Sequence, residues 1–413
     1  MPDVVIVGAG QAGLSASACL AQRGIDHVVL EKSGIGASWR HQRWDSFCLV
    51  TPNWTVRLPG QEYAGPELHA FMSGAGFVTF LEEYAARFEI PIRQPVTATA
   101  AQQTEHGWHL ETTAGSLDSR ALIVATSNYQ TPFIPDFAAA MPLQIKSLSA
   151  ADYRNAAQLP PGRVLVVGSA QSGGQIVEDL MIAGREVILS VSHAGRAPRR
   201  YRGRDAIEWQ DMIGFLDRPA AALVDPRERF GGEPHMTGRD GGHTVSLQNF
   251  QAQGVRLIGR VEDIQGFTLY LKADLRDNMR AADRFAANFC GDVDSYIRRN
   301  GLTAPPDDGE PAHAPIADFE RYDEPVRLDL EEEGVSAVVW ATGFRFDYAW
   351  IGADVFDAFG YPLTARGETA AAGLYFLGLN YLHSRKSGII YGVGQDAEHV
   401  ASRIRLYLDN SRS

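Results

Sequence analysis

Apolar positions in this chain gather into short unbroken runs that end in glycine, and the first such run lies at the N-terminus. Val4 to Val7 lead directly into Gly8-Ala9-Gly10-Gln11-Ala12-Gly13, and Leu14 to Gln22 then follow with the spacing of a helix. This order predicts strand, tight turn, helix. The glycines have separate tasks in it: Gly8 permits the turn, Gly10 admits the backbone of the loop to a diphosphate, and Gly13 lets the helix lie close on the strand. A second strand, Asp26 to Leu30, ends on Glu31, 18 positions beyond Gly13, with Lys32 beside it. A carboxylate at that point accepts hydrogen bonds from an adenosine ribose and repels a 2′-phosphate, so this loop suits FAD or NAD.

The pattern recurs after the proline-rich joint Leu159-Pro160-Pro161-Gly162. The strand Arg163 to Val167 runs into Gly168-Ser169-Ala170-Gln171-Ser172-Gly173, with a helix expected from Gln171 to Ala183 and a strand from Glu186 to Val191. No acid closes this unit. Arg196, Arg199 and Arg200 follow instead, together with Arg202 and Arg204. Guanidinium groups beside a bound dinucleotide grip a 2′-phosphate through paired hydrogen bonds, which predicts NADPH here, with a solvated loop or an interface patch as the plainer alternative.

Further along, Gly254 to Val261 and Phe267 to Leu271 read as strands, and Asp274 to Asn300 as a helix with Phe285, Phe289, Val293 and Ile297 at spacings of four. The stretch from Trp209 to Pro325 exceeds a minimal nucleotide-binding unit, so it is expected either to cover a substrate site or to make a subunit contact, as in a homodimer. Thr303 to Glu310 has the composition of an exposed loop.

Composition narrows the class. With 45% hydrophobic and 21% charged residues, 41 glycines and 21 prolines, the chain reads as a globular α/β protein, and at 413 residues it is too long for one ordinary core. A net charge of −12 argues against nucleic-acid binding, which needs a dominant basic field. Cys19, Cys48 and Cys290 form no CxxC pair, which predicts a reducing, cytoplasmic setting and no dithiol centre. There is no basic-flanked signal segment and no run long enough to span a membrane. The histidines do not recur at metal-ligand spacing, so no metal site is expected.

Two dinucleotide loops in this order, with further landmarks, resemble the flavin-containing monooxygenases, including their YUCCA-like and Baeyer–Villiger relatives. The landmarks are Gly36-Ala37-Ser38-Trp39-Arg40 with Arg43-Trp44-Asp45, Leu122 to Ser127 with Ala125 and Thr126, Val338 to Phe344 with Thr342 and Gly343, Gly373 to Gly378, and Ser387-Gly388 onward to Ala397. The resemblance implies two Rossmann-like domains: an FAD-binding domain formed by 1–155 and 326–413, and an inserted NADPH-binding domain, 156–325, carrying the helical insertion at about 272–300.

The family likeness also implies that NADPH reduces FAD and that a flavin C4a-(hydro)peroxide made from O2 transfers one oxygen atom to a small organic substrate. It places Trp39, Arg40, Trp44, Gly378, Ser387 and Gly388 near the flavin, and Asn53 where the family holds the peroxyflavin. Arg385 and Lys386 could approach either cofactor, with a solvated loop the plainer reading for Lys386. Trp39, Trp44, Phe47 and Trp54 suit either a dry wall beside the flavin or an ordinary core. Two departures are plain: Ser149 stands where the Baeyer–Villiger linker carries histidine, and Ser127 where the first strand would end in glycine. An NADPH-dependent reductase or oxidase without oxygen insertion, and a non-enzymatic flavin-binding module, are the alternatives.

Overall fold

The glycine-terminated apolar runs become parallel strands with both faces covered, which is why they are continuous rather than alternating. A computed structural model describes residues 1–231, 234–316, 318 and 322–410. Its first sheet places Val4–Val7 at the centre, with His27–Leu30 and then Ile92–Arg93 on one side, and Ala121–Val124 and Leu374–Phe376 on the other, all parallel. The short strands Glu368–Thr369 and Thr364–Ala365 extend it antiparallel.

The second sheet repeats the plan. Arg163–Val167 lies between Val187–Ser190 and Val335–Trp340, with Arg256–Ile258 and Lys146–Ser149 at the edges, again all parallel. Lys146–Ser149 and Val335–Trp340 thus belong to this sheet, which begins before and ends after the expected span of 156–325. The apolar run ending at Trp340 closes the second loop rather than the first. In each sheet the chain turns to opposite sides at the central strand, the arrangement at whose carboxyl end such folds bind nucleotides.

Helix Gln11–Gln22 packs on the first sheet and Gln171–Ile182 on the second. The C-terminal helix Ile390–Asn410 lies against Gln11–Gln22, with Arg23 ion-paired to Glu398 at 2.6 Å. The expected insertion helix is Leu275–Arg299, flanked by Asp274 and Asn300. Its buried stripe is Leu275, Met279, Ala282, Ala286, Phe289 and Val293, a seam of alternating threes and fours, with Phe285 and Ile297 at its half-buried margin. Phe289 and Val293 pack with Ala197, Tyr201, Ile207, Trp209 and Met236. The stripe is therefore buried inside the chain. Among the described residues, no helix is long and apolar enough to cross a membrane.

Candidate cofactor site and its neighbours

The two glycine loops are built to one plan, displaced by 160 positions. Gly8 and Gly168 sit at φ +110° and +102°, and a Cβ on either would stand 2.5 Å from a carbonyl oxygen, of Ala125 or Ala341 respectively. A Cβ at Gly13 or Gly173 would stand 1.8 Å from the carbonyl oxygen of Gly8 or Gly168. These positions thus do what was expected of them: the first shapes the turn, and the last lets the helix close on it. Ala125-Thr126 and Ala341-Thr342 are equivalent flanks of the two loops. Gly343, at φ +92°, follows the second, and the Thr342 hydroxyl donates to the Phe133 carbonyl.

The loops fit diphosphates. Neither helix has a side-chain cap at Gly10 or Ala170, so the first-turn N–H groups keep their donor capacity for an anion. A Cβ at Gly10 would meet nothing within 4 Å, leaving room for a ligand to lie against the backbone.

The ribose ends differ. Glu31 is buried and accepts from the N–H groups of Ala9 at 2.9 Å and Ser33 at 2.8 Å, fastening the loop while holding a carboxylate at the strand end. Its equivalent at the same displacement is Val191, buried and apolar. There the Ser169 hydroxyl accepts from the Ser192 N–H at 2.9 Å, a neutral substitute for Glu31. At the strand end of the second loop, Val191 stands where the first has its acid.

The arginines expected at a 2′-phosphate are engaged by the chain itself. Arg196 is 2% exposed, ion-paired with Asp283 of the insertion helix at 2.7 Å and donating to the Ala312 carbonyl. Arg199 is 1% exposed, paired with Asp205 at 2.8 Å, donating to the Val50 carbonyl and lying over the Phe71 ring. Burial pushes its pKa down, and Asp205 opposes that shift. Arg200 donates to the carbonyls of Gly241 and Gly242. These side chains fasten segments together. Arg196 and Arg199 are buried in these contacts, while Arg200 stays at the surface.

Of the residues expected near the flavin, Trp39 donates from Nε1 to Gln11 at 3.0 Å and packs edge-on against Phe77, while Trp44 stacks in the same manner on Phe47. Trp44 and Phe47 belong to the main core, with Trp39 at its edge, and Trp54 lies apart against Tyr391. The supposed aromatic wall is thus two groups. Arg40 points to the surface and pairs with Glu82 at 2.6 Å, and Lys32 is exposed. Gly378 packs on Ala12, where a Cβ would come within 2.6 Å. Ser387 is buried, accepting from the N–H groups of His383 and Ser384, and Gly388 lies against Asn380. Lys386 is buried beside Asp217 at 2.6 Å rather than solvated.

Asn53 is 4% exposed; its Nδ2 donates to the Glu67 carbonyl at 2.9 Å, and its Oδ1 is buried without a partner. Sequence reasoning missed His235, whose Nε2 donates to the Ser169 carbonyl and whose Nδ1 is a buried acceptor without a partner. The one signal for it, a histidine 66 positions downstream of Ser169, is too remote to read.

Burial brings the pKa of His235 down to about 4, with the Ser169 carbonyl opposing and Arg196 adding to the shift. Between about pH 6.5 and 4 the unfolded chain takes up a proton at this histidine that the folded chain does not, so stability falls as pH is lowered through that window. Thermal unfolding across it should show a loss on the order of 3 kcal/mol that His235→Gln lacks. Equal pH slopes for both proteins would show that His235 is not buried in its neutral form.

Comparison with known proteins agrees with this geometry. Residues 5–207 match the family model for pyridine nucleotide-disulphide oxidoreductases. Over 317 residues the chain is 34% identical to indole-3-pyruvate monooxygenase YUCCA1 of Oryza sativa subsp. japonica, covering 73% of this chain and 77% of that protein. The chain belongs to the flavin-containing monooxygenase family. As a member, it is a flavin-dependent oxidoreductase with two Rossmann-like units. It is also 30% identical over 405 residues to an uncharacterized CzcO-like oxidoreductase of Geobacillus kaustophilus, covering 97% and 98% of the two chains. The flavin-containing monooxygenase from Stenotrophomonas maltophilia shares the fold, with a TM-score of 0.64 at 19% identity over 98% of this chain and 99% of that one.

Proposed function

We propose that this protein is an FAD-dependent, NADPH-consuming monooxygenase that places one oxygen atom from O2 into a small organic substrate. The observation that carries the reading is the pair of loops sharing one backbone plan, one closed by Glu31 and the other by Val191. FAD takes the site with the carboxylate, because its adenosine offers two ribose hydroxyls and no phosphate. NADPH takes the site where Val191 stands in place of the acid that would oppose a 2′-phosphate.

Bound FAD supplies hydride acceptance and activation of dioxygen; the chain supplies the rest. The uncapped helix N-termini at Gly10 and Ala170 hold the two diphosphates. Glu31 orients the flavin's adenosine. Half-buried Trp54, next to Asn53 in the chain, and Tyr391, packed edge-on against it, screen this region from water. The free Oδ1 of Asn53 supports its assignment to the reacting centre, since a buried unpaired carbonyl is completed by a ligand's hydroxyl or N–H.

Disulfide reduction has no support among the described residues. All three cysteines are free, and burial with the nearby Glu398 carboxylate holds the Cys19 thiol far above the ordinary range.

The test is Asn53→Ala. The variant is expected to retain FAD and to oxidise NADPH, while oxygen transfer to substrate falls by about 10-fold or more and hydrogen peroxide appears in its place. Hydrogen peroxide is measured per NADPH consumed. Unchanged coupling would remove Asn53 from the mechanism.

A further inference from the structure

Each dinucleotide loop is gripped from outside by a strap drawn from elsewhere in the chain, and the two straps make corresponding bonds. In the first loop the Ala9 carbonyl accepts from the Gly36 N–H at 3.1 Å, and Gln11 accepts from Trp39 Nε1 at 3.0 Å. At the displacement of 160 that relates Gly8 to Gly168, the equivalent residues are Ser169 and Gln171. The Ser169 carbonyl accepts from His235 Nε2, and Gln171 donates to the Pro234 carbonyl at 2.9 Å. One turn on, Gln175 donates to the Met236 carbonyl at 2.8 Å. Pro234 to Met236 therefore does for the second loop what Gly36 to Trp39 does for the first.

The straps differ in how they hold the loop carbonyl, and the glutamine bond runs in opposite directions in the two. The first uses a backbone N–H, which almost any residue at position 36 would offer. The second cannot, because the His235 N–H is already donated to the Gly195 carbonyl at 2.8 Å. Only the side chain reaches Ser169. Since a carbonyl accepts, Nε2 must carry the hydrogen and Nδ1 must be bare, the neutral form that burial at 1% exposure favours. Through Gly195 the same residue also ties the segment that follows the ribose-side strand Val187–Ser190.

We infer that His235 is a positioning residue for the nicotinamide coenzyme: by holding the Ser169 carbonyl it fixes the backbone N–H groups of the second loop in the direction the coenzyme diphosphate requires. This rests on the reading that the second loop binds NADPH.

The experiment compares the FAD-loaded wild type with His235→Leu, His235→Gln and His235→Asn, measuring the Kd of NADP+ by calorimetry, FAD content, and KM and kcat with NADPH. Glutamine places an amide N–H where Nε2 stands; leucine has none, and asparagine falls short of it. Leucine and asparagine are expected to raise the Kd and KM about 10-fold, with FAD content and kcat held within about 2-fold, while glutamine stays near the wild type. If leucine does not yield folded protein, glutamine against asparagine makes the same comparison. A folded leucine or asparagine variant that binds NADP+ as the wild type does, or a glutamine variant as weak as asparagine, would overturn the role of His235. A wild type that binds no NADP+ would instead overturn the reading of the loop.

Discussion

Gly173→Ala is expected to lose the use of NADPH while remaining a yellow, FAD-loaded protein. A Cβ at this position would stand 1.8 Å from the Gly168 carbonyl oxygen, and that atom is backbone that cannot swing aside. The helix Gln171–Ile182 must lift from the loop, carrying its uncapped N–H groups away from the diphosphate they would hold. A displacement of about 1 Å at a positioning element costs roughly 100-fold in rate, so kcat/KM for NADPH should fall by at least that factor. FAD content should be unchanged, because the first loop is built on separate strands. Gly13→Ala should give the reverse, a protein purified without flavin, since its clash with Gly8 is the same. Flavin absorbance and an NADP+ titration of both variants check the pair. A Gly173→Ala protein with normal NADPH kinetics would show that the second loop does not serve the coenzyme.

Arg199→Ala is expected to act on stability. Removing the guanidinium leaves Asp205 buried without its partner and the Val50 carbonyl without its donor. Breaking one member of a buried pair costs about 3–5 kcal/mol, most of it the isolated charge left behind. The ratio of KM values for NADPH and NADH should barely change, because this side chain faces inward. Chemical denaturation and the two Michaelis constants decide the matter. A stable variant with a selectively raised KM for NADPH would restore Arg199 as a phosphate ligand.

Much of this architecture was legible in the order of residues. The strand, glycine loop and helix at 4–22 and 163–182 depend on local turn chemistry and continuous apolar runs, and both formed where the pattern placed them. The helix at 275–299 was equally plain because its apolar spacing is long and regular. The fate of the arginines was not. Arg196 turns inward because Asp283 waits 87 positions away, and Arg202, nearer the surface, is held by Asp294, 92 positions away. A basic loop read alone looks like a phosphate site until its distant acids are folded against it. Lys386 deceived in the same manner, its partner Asp217 lying far upstream. Glu31 was readable because its partners, Ala9 and Ser33, lie within its own βαβ unit. The second strap was hidden, since a histidine in an irregular segment carries no periodic signal.

The central claim is that NADPH reduces the flavin and that the reduced protein then activates dioxygen in a protected site. Rapid mixing tests it most directly: the protein is reduced anaerobically with NADPH, then mixed with oxygenated buffer while the flavin spectrum is followed. The account predicts full reduction by NADPH, then a transient spectrum unlike either reduced or oxidised flavin that decays to the oxidised form. Failure of NADPH to reduce the flavin, or direct return to the oxidised spectrum without a transient, would contradict it.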